Sequence, residues 1–87
     1  MERYPSLSAI PALPSTAEQP VEYLSSDQVI SIGFLEEGYW IVRAPLPDGR
    51  EGYLRMSGDM WNIQVSGPQT ADALGVDGWR EAIGRFF

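Results

Sequence analysis

The sequence predicts a mainly β domain closed by C-terminal helix, an α+β fold in which a small antiparallel meander is capped by one or two short helices. Three observations predict it. Apolar residues alternate at period two along short runs between Val29 and Val65. Turn-forming residues separate those runs at Glu36-Glu37-Gly38, Asp48-Gly49 and Ser57-Gly58-Asp59. Near the C-terminus the period changes, and Trp79, Ala82, Ile83 and Phe86 stand at i, i+3, i+4 and i+7.

From Gln28 to Leu35 the alternation places Ile30, Ile32 and Phe34 on one face and Val29, Ser31 and Gly33 on the other. Gly38 can supply the positive φ that a hairpin turn often needs. Tyr39 to Ala44 is the second strand, with Trp40 and Val42 opposed to Tyr39, Ile41 and Arg43. Pro45, Pro47 and Asp48-Gly49 end it. Arg50 to Met56 is the third, with Leu54 and Met56 opposite Tyr53 and Arg55, and Met60 to Val65 the fourth, with Trp61, Ile63 and Val65 aligned. Trp40 and Trp61 lie on the aliphatic faces of their strands and are expected in the core.

Residues 1–20 form a Pro-rich extended arm, and residues 21–87 a single β-rich domain. Pro5, Pro11, Pro14 and Pro20 exclude a long helix from the arm. Tyr4, Leu7, Ile10 and Leu13 make it a segment that packs along the domain. Pro11-Ala12-Leu13-Pro14 has the PxxP form of polyproline ligands, with no arginine beside it. Val21 to Leu24 fits either a short strand or one helical turn begun by Pro20. Beyond Ser66-Gly67-Pro68, Thr70 can cap a short helix through Leu74, stopped by Gly75. Asp77 can cap a second, whose stripe must dock because Gly78 and Gly84 weaken it by about 1 kcal/mol each. Ala73-Leu74-Gly75-Val76 has the look of a helix-turn-helix turn, but the acidic context and the lack of recognition-helix cations oppose DNA binding.

Composition narrows the function. A chain of 87 residues buries only about 60–65% of its unfolded surface, so its core is small and favours a flat or grooved binding surface over an elaborate cleft. Cysteine is absent, which removes disulfides and thiolate chemistry; histidine is absent, which removes the commonest general base and metal ligand. The acids have no metal-site or catalytic spacing, so no cofactor, metal or enzyme activity is expected. Twelve acids against six arginines give a net charge of −6, which opposes direct nucleic-acid binding and suits a basic protein partner. No apolar run approaches the ~20 residues of a membrane span, and residues 1–20 lack the pattern of a signal peptide. The expected location is cytoplasmic. Partner identity and oligomeric state are not legible.

Gly38-Tyr39-Trp40-Ile41-Val42-Arg43, a loop, and Asp48-Gly49-Arg50-Glu51-Gly52-Tyr53-Leu54 resemble the central hairpin of bacterial Src-homology-3-like domains. The resemblance covers about the central third of the chain. It implies a small five-stranded barrel whose loops and neighbouring aromatics form a binding groove, with Tyr39, Tyr53 and Tyr23 as contacts. It further implies recognition of peptides or, in wall proteins, of peptidoglycan. Tyr39 and Tyr53 stand where the family often has Trp, the loop after Arg43 is long, and a helix-like tail replaces a C-terminal strand.

In size and charge the chain is also similar to phage-encoded antagonists of host proteins, anti-CRISPR proteins among them. On that reading the turn acids Glu36, Glu37, Asp48, Glu51 and Asp59 line the ends of the meander and meet the Lys or Arg of a basic, nucleic-acid-binding partner. The expected function is therefore a non-catalytic protein-binding domain, a small acidic inhibitor or adaptor, with Glu36, Glu37, Tyr39, Asp48, Glu51, Tyr53 and Asp59 as the partner-binding residues. The alternatives are a peptide- or wall-binding module and a small structural subunit.

Overall fold

A computed structural model describes residues 2–87. Strands β1 (Glu2–Tyr4), β2 (Val21–Ser25), β3 (Gln28–Glu36), β4 (Tyr39–Arg43), β5 (Glu51–Ser57), β6 (Met60–Val65) and β7 (Thr70–Leu74) form one sheet in sequential order. A 3-10 turn covers Leu7–Ala9, and helix α1 covers Gly78–Gly84. From β2 to β7 every pair is antiparallel, while β1 runs parallel to β2. The sheet is therefore mixed.

Register follows the alternation read in the sequence. One inward row is Ile32, Val42, Gly52 and Val65; the next is Phe34, Trp40, Leu54, Ile63 and Ala71. These residues are buried except Phe34, which packs against the buried set from its margin. Trp40 and Trp61 both lie in the core, with ring centroids 5.5 Å apart.

A second layer covers this inward face, as a one-sided apolar sheet requires. It consists of the arm and α1. From the arm come buried Ile10 and, partly buried, Tyr4, Leu7 and Leu13. From the helix and its end come Trp79, Ala82, Ile83 and Phe87. Two glycines admit this layer. A Cβ on Gly78 would lie 3.1 Å from the carbonyl carbon and oxygen of Ala73, and one on Gly52 would lie 3.0 Å from the Phe87 ring. Buried Trp40 Nε1 donates to the Pro14 carbonyl at 2.7 Å, and Arg80 donates to the Ile10 and Pro11 carbonyls. Pro14 is buried and Leu13 half-buried against the domain, while Pro11 and Ala12 of the same PxxP segment are exposed.

Two expectations change, one likeness lapses, and one open reading is settled. Thr70–Leu74 is a strand, not a helix: Ala71 and Ala73 point inward and Thr70, Asp72 and Leu74 outward, a period-two pattern paired along β6. With Ala73-Leu74 in a strand, the helix-turn-helix likeness also lapses. Val21–Leu24, open between strand and helical turn, lies in β2. The sheet does not close into the five-stranded barrel that the resemblance implies. Its order ends at β1 and β7, and the arm and α1 pack on its inward face instead. Among the described residues, no helix is long and apolar enough to cross a membrane.

Candidate protein-binding surface

Strand direction sorts the turns into two groups. The β3–β4 turn, the β5–β6 turn and the link from β7 to α1 lie at one end of the sheet; the β2–β3, β4–β5 and β6–β7 connections lie at the other. At the first end the turns are tied together, Met56 N donating to Gly38 O and Gly75 N to Asp59 O, each at 3.0 Å. Gly38 takes φ +77° in the first of these turns.

This first end carries Glu36, Glu37 and Asp59. All three are exposed, and among the described residues none is in an ion pair. Beside them opens an apolar groove of about 360 Å3, walled by Leu13, Pro14, Phe34, Trp40 and Met56, with Glu37 on its rim. Met56 is 47% exposed there, and on its other side a second hollow of about 230 Å3 is bounded by Asp59, Trp61 and Val76. The arm's Leu13-Pro14-Ser15 also walls a cavity of about 370 Å3 that faces Glu2 and Glu18.

At the opposite end the candidate acids are neutralised. Asp48 pairs with Arg50 at 2.8 Å and accepts from Gln28 Nε2 at 3.2 Å. The Gln28 amide first, and the Arg50 guanidinium with it, hold the Asp48 carboxyl below its ordinary value of 3.8. Arg50 is itself fixed, lying 5.0 Å from the Phe87 ring centroid and donating to the Phe86 carbonyl. Glu51 pairs with Arg43 at 2.9 Å directly across β4 and β5.

Tyr39 opens β4 at the acidic end, paired with Glu36, and Tyr53 lies farther along the sheet in β5. They lie on the outward face of the sheet, with ring centroids 5.8 Å apart, and Arg55 sits 4.5 Å over the Tyr39 ring. With Asn62 and Gln64 they bound a shallow hollow of about 230 Å3. Tyr53 is 41% exposed, whereas Tyr23, also expected as a contact, is 2% exposed and cannot touch a partner. Tyr23 points inward from β2 opposite Ile30, its hydroxyl has no hydrogen-bond partner, and burial raises its pKa.

The seven expected residues thus divide into a free acidic end, a neutralised end and an aromatic face. Sequence reasoning missed the groove itself. Its walls come from Leu13, Phe34, Trp40 and Met56, which meet only when the arm crosses the sheet. The signal available was the apolar Leu13 inside the Pro-rich arm. Among the described residues, no group of three or more carboxylates stands close enough to hold a metal ion.

Comparison of the chain with family models, with curated proteins and with solved structures found no match.

Proposed function

We propose that this protein is a non-catalytic binding domain, an acidic inhibitor or adaptor, whose Glu36–Glu37–Asp59 end docks on a basic protein partner. One observation carries the reading: an apolar groove has the Glu37 carboxylate on its rim, and among the described residues Glu37 and its neighbours Glu36 and Asp59 form no ion pair. Five of the six arginines are engaged in ion pairs with other acids, Arg80 with Asp77 at this same end, and Arg55 lies over Tyr39, near Glu36. Unpaired acids therefore gather at this end and along the neighbouring arm at Glu2 and Glu18, with Asp27 and Asp72 standing apart. The groove supplies apolar area, the main source of affinity. The acids steer approach and fix orientation against cations.

The test is a paired substitution. Glu36→Arg with Glu37→Arg alters solvated positions, so stability should stay within about 0.5 kcal/mol. Affinity for the basic partner recovered from nuclease-treated lysate should fall about tenfold or more. Asp48→Asn with Glu51→Gln should leave it unchanged. Equal losses from both pairs, or none from the first, would remove the site from this end.

A second reading, a peptide-binding module, is favoured by the Tyr39–Tyr53 face, because tyrosines and arginine are suited to exposed contacts. Salt-tolerant peptide binding that is lost in Tyr53→Ala would carry that reading.

A further inference from the structure

We propose that β7 is a strand-addition edge that accepts an extended segment with an arginine or lysine opposite Asp72 and rejects a second copy of this chain. The inference rests on the basic-partner reading for the sign of the segment's charge.

The hydrogen-bond pattern shows which backbone groups of β7 are free. Gly75 N donates to Asp59 O, and Val65 N donates to Gln69 O. In an antiparallel pair, bonded and non-bonded positions alternate. With the register Trp61 to Ala73 and Ile63 to Ala71, the bonded residues of β7 are therefore Ala71 and Ala73. The N–H and C=O of Thr70, Asp72 and Leu74 point away from β6. Among the described residues, no turn, loop or cap bond uses them. Helix α1 does not cover them, because it packs on the inward face against buried Ala71 and Ala73.

The two edges of the sheet differ. β1 has three residues, of which Glu2 and Arg3 are exposed and charged, a short and blunted edge. β7 has five residues and carries one charge, Asp72, at its centre. Asn62 Nδ2 donates to the Asp72 carboxylate at 2.6 Å and fixes it on the outward face. Leu74, 71% exposed, stands two residues along the same face.

That single charge discriminates between occupants. Two copies pairing antiparallel over all of β7 would set Asp72 directly opposite Asp72 of the other copy, and like charges in that position are destabilising. A heterologous strand with a cation there gains a cross-strand ion pair and places an apolar side chain on Leu74. Beyond Leu74 the edge runs toward the hollow bounded by Asp59 and Val76, so a segment along β7 continues onto the acidic end.

The experiment is an amide-resonance titration of the full, 15N-labelled chain with the capped pentapeptide Val-Ser-Arg-Ser-Thr at millimolar concentration. In antiparallel alignment its Arg faces Asp72 and its Val faces Leu74. Shifts are expected at the amides of Thr70, Asp72 and Leu74. Affinity should weaken about tenfold in Asp72→Ser, and binding should vanish for the peptide N-methylated at Arg. It should vanish also in Leu74→Pro, a substitution the fold tolerates because that N–H faces away from β6. Asp72→Thr should sediment as a dimer that Leu74→Pro dissolves.

Shifts confined to residues around Glu36, Glu37 and Met56 would overturn strand addition while leaving acidic docking intact. No shift at any residue, or a monomeric Asp72→Thr chain, would overturn the proposal. The proposed function fails separately, by an unchanged partner affinity in the Glu36→Arg, Glu37→Arg variant.

Discussion

The two ends of the sheet carry similar numbers of turn acids and differ in what the fold does with them. At one end, Asp48 and Glu51 each face an arginine, and Arg50 is further held by the Phe86 carbonyl and the Phe87 ring. At the other, Glu36, Glu37 and Asp59 face solvent around an apolar groove. Exposed ion pairs contribute little stability, about 0–1 kcal/mol each. The difference therefore lies mainly in the field each end presents. Charge that is paired within the chain is lost to a partner, and charge left unpaired beside apolar surface is available to one. Net charge alone does not separate these cases.

The comparison presumes one frame that holds both ends, and the largest expected effect comes from breaking it. Helix α1 starts at the acidic end after Asp77, and the chain closes at the other with Phe87 against Gly52 and with Ser25 Oγ donating to the Phe87 carbonyl at 2.6 Å. Trp79 is buried beneath it, and Arg80, lying 4.3 Å over the Trp79 ring, reaches the arm carbonyls. Trp79→Ala should cost about 3–5 kcal/mol. That is a large share of the roughly 5–15 kcal/mol that holds a typical domain. Urea denaturation measures it, and a cost below about 1 kcal/mol would mean that the helix is not part of the frame.

A smaller effect should fall on the acidic end alone. Trp40→Phe keeps most of the buried ring but removes the donor to the Pro14 carbonyl, leaving a buried acceptor unpaired. The cost should be about 1–3 kcal/mol. Amide exchange should accelerate in residues 10–15, and partner affinity should fall as the groove wall loosens. Exchange near Arg50 and Asp48 should not change. Acceleration at both ends would show that the arm supports the whole sheet and not one side of the groove.

Much of the frame was legible in local pattern. The strands from Gln28 to Val65 alternate strongly, and Trp79, Ala82 and Ile83 of the stripe are helical and docked, but the helix ends at Gly84, so Phe86 lies in a turn at the margin and Phe87 is buried in its place. Thr70–Leu74 was misread because Ala71 and Ala73 are small and equally at home in either period, while Thr70 and Gly75 imitate helix caps. Pairing with β6 decided the matter. Tyr23 was misread because a tyrosine is amphipathic, and only the cover over β2 shows which end of it prevails. The free and paired acids could not be told apart at all. Arg43 meets Glu51 because the β4–β5 loop sets their register, whereas the arginine nearest Glu36, Arg55, lies over the Tyr39 ring between them and forms no ion pair with it.

The smallest expected effect sharpens the contrast through pH. Asp48 titrates below its ordinary value of 3.8 because Gln28 and Arg50 stabilise the carboxylate. A carboxyl depressed in the folded chain binds its proton more readily when unfolded. Its contribution is therefore complete above the unfolded value and is lost as pH falls through the lower, folded one. Asp48→Asn cannot titrate. The variant should be slightly less stable than the parent at neutral pH, and the two stability curves should converge once the pH is below both values. Thermal unfolding across an acid series measures this. A constant offset down to the most acidic point would mean that Asp48 stabilises the loop by its shape and not by its charge. Partner affinity at neutral pH should be the same for both chains, since the charge removed was already spent on Arg50.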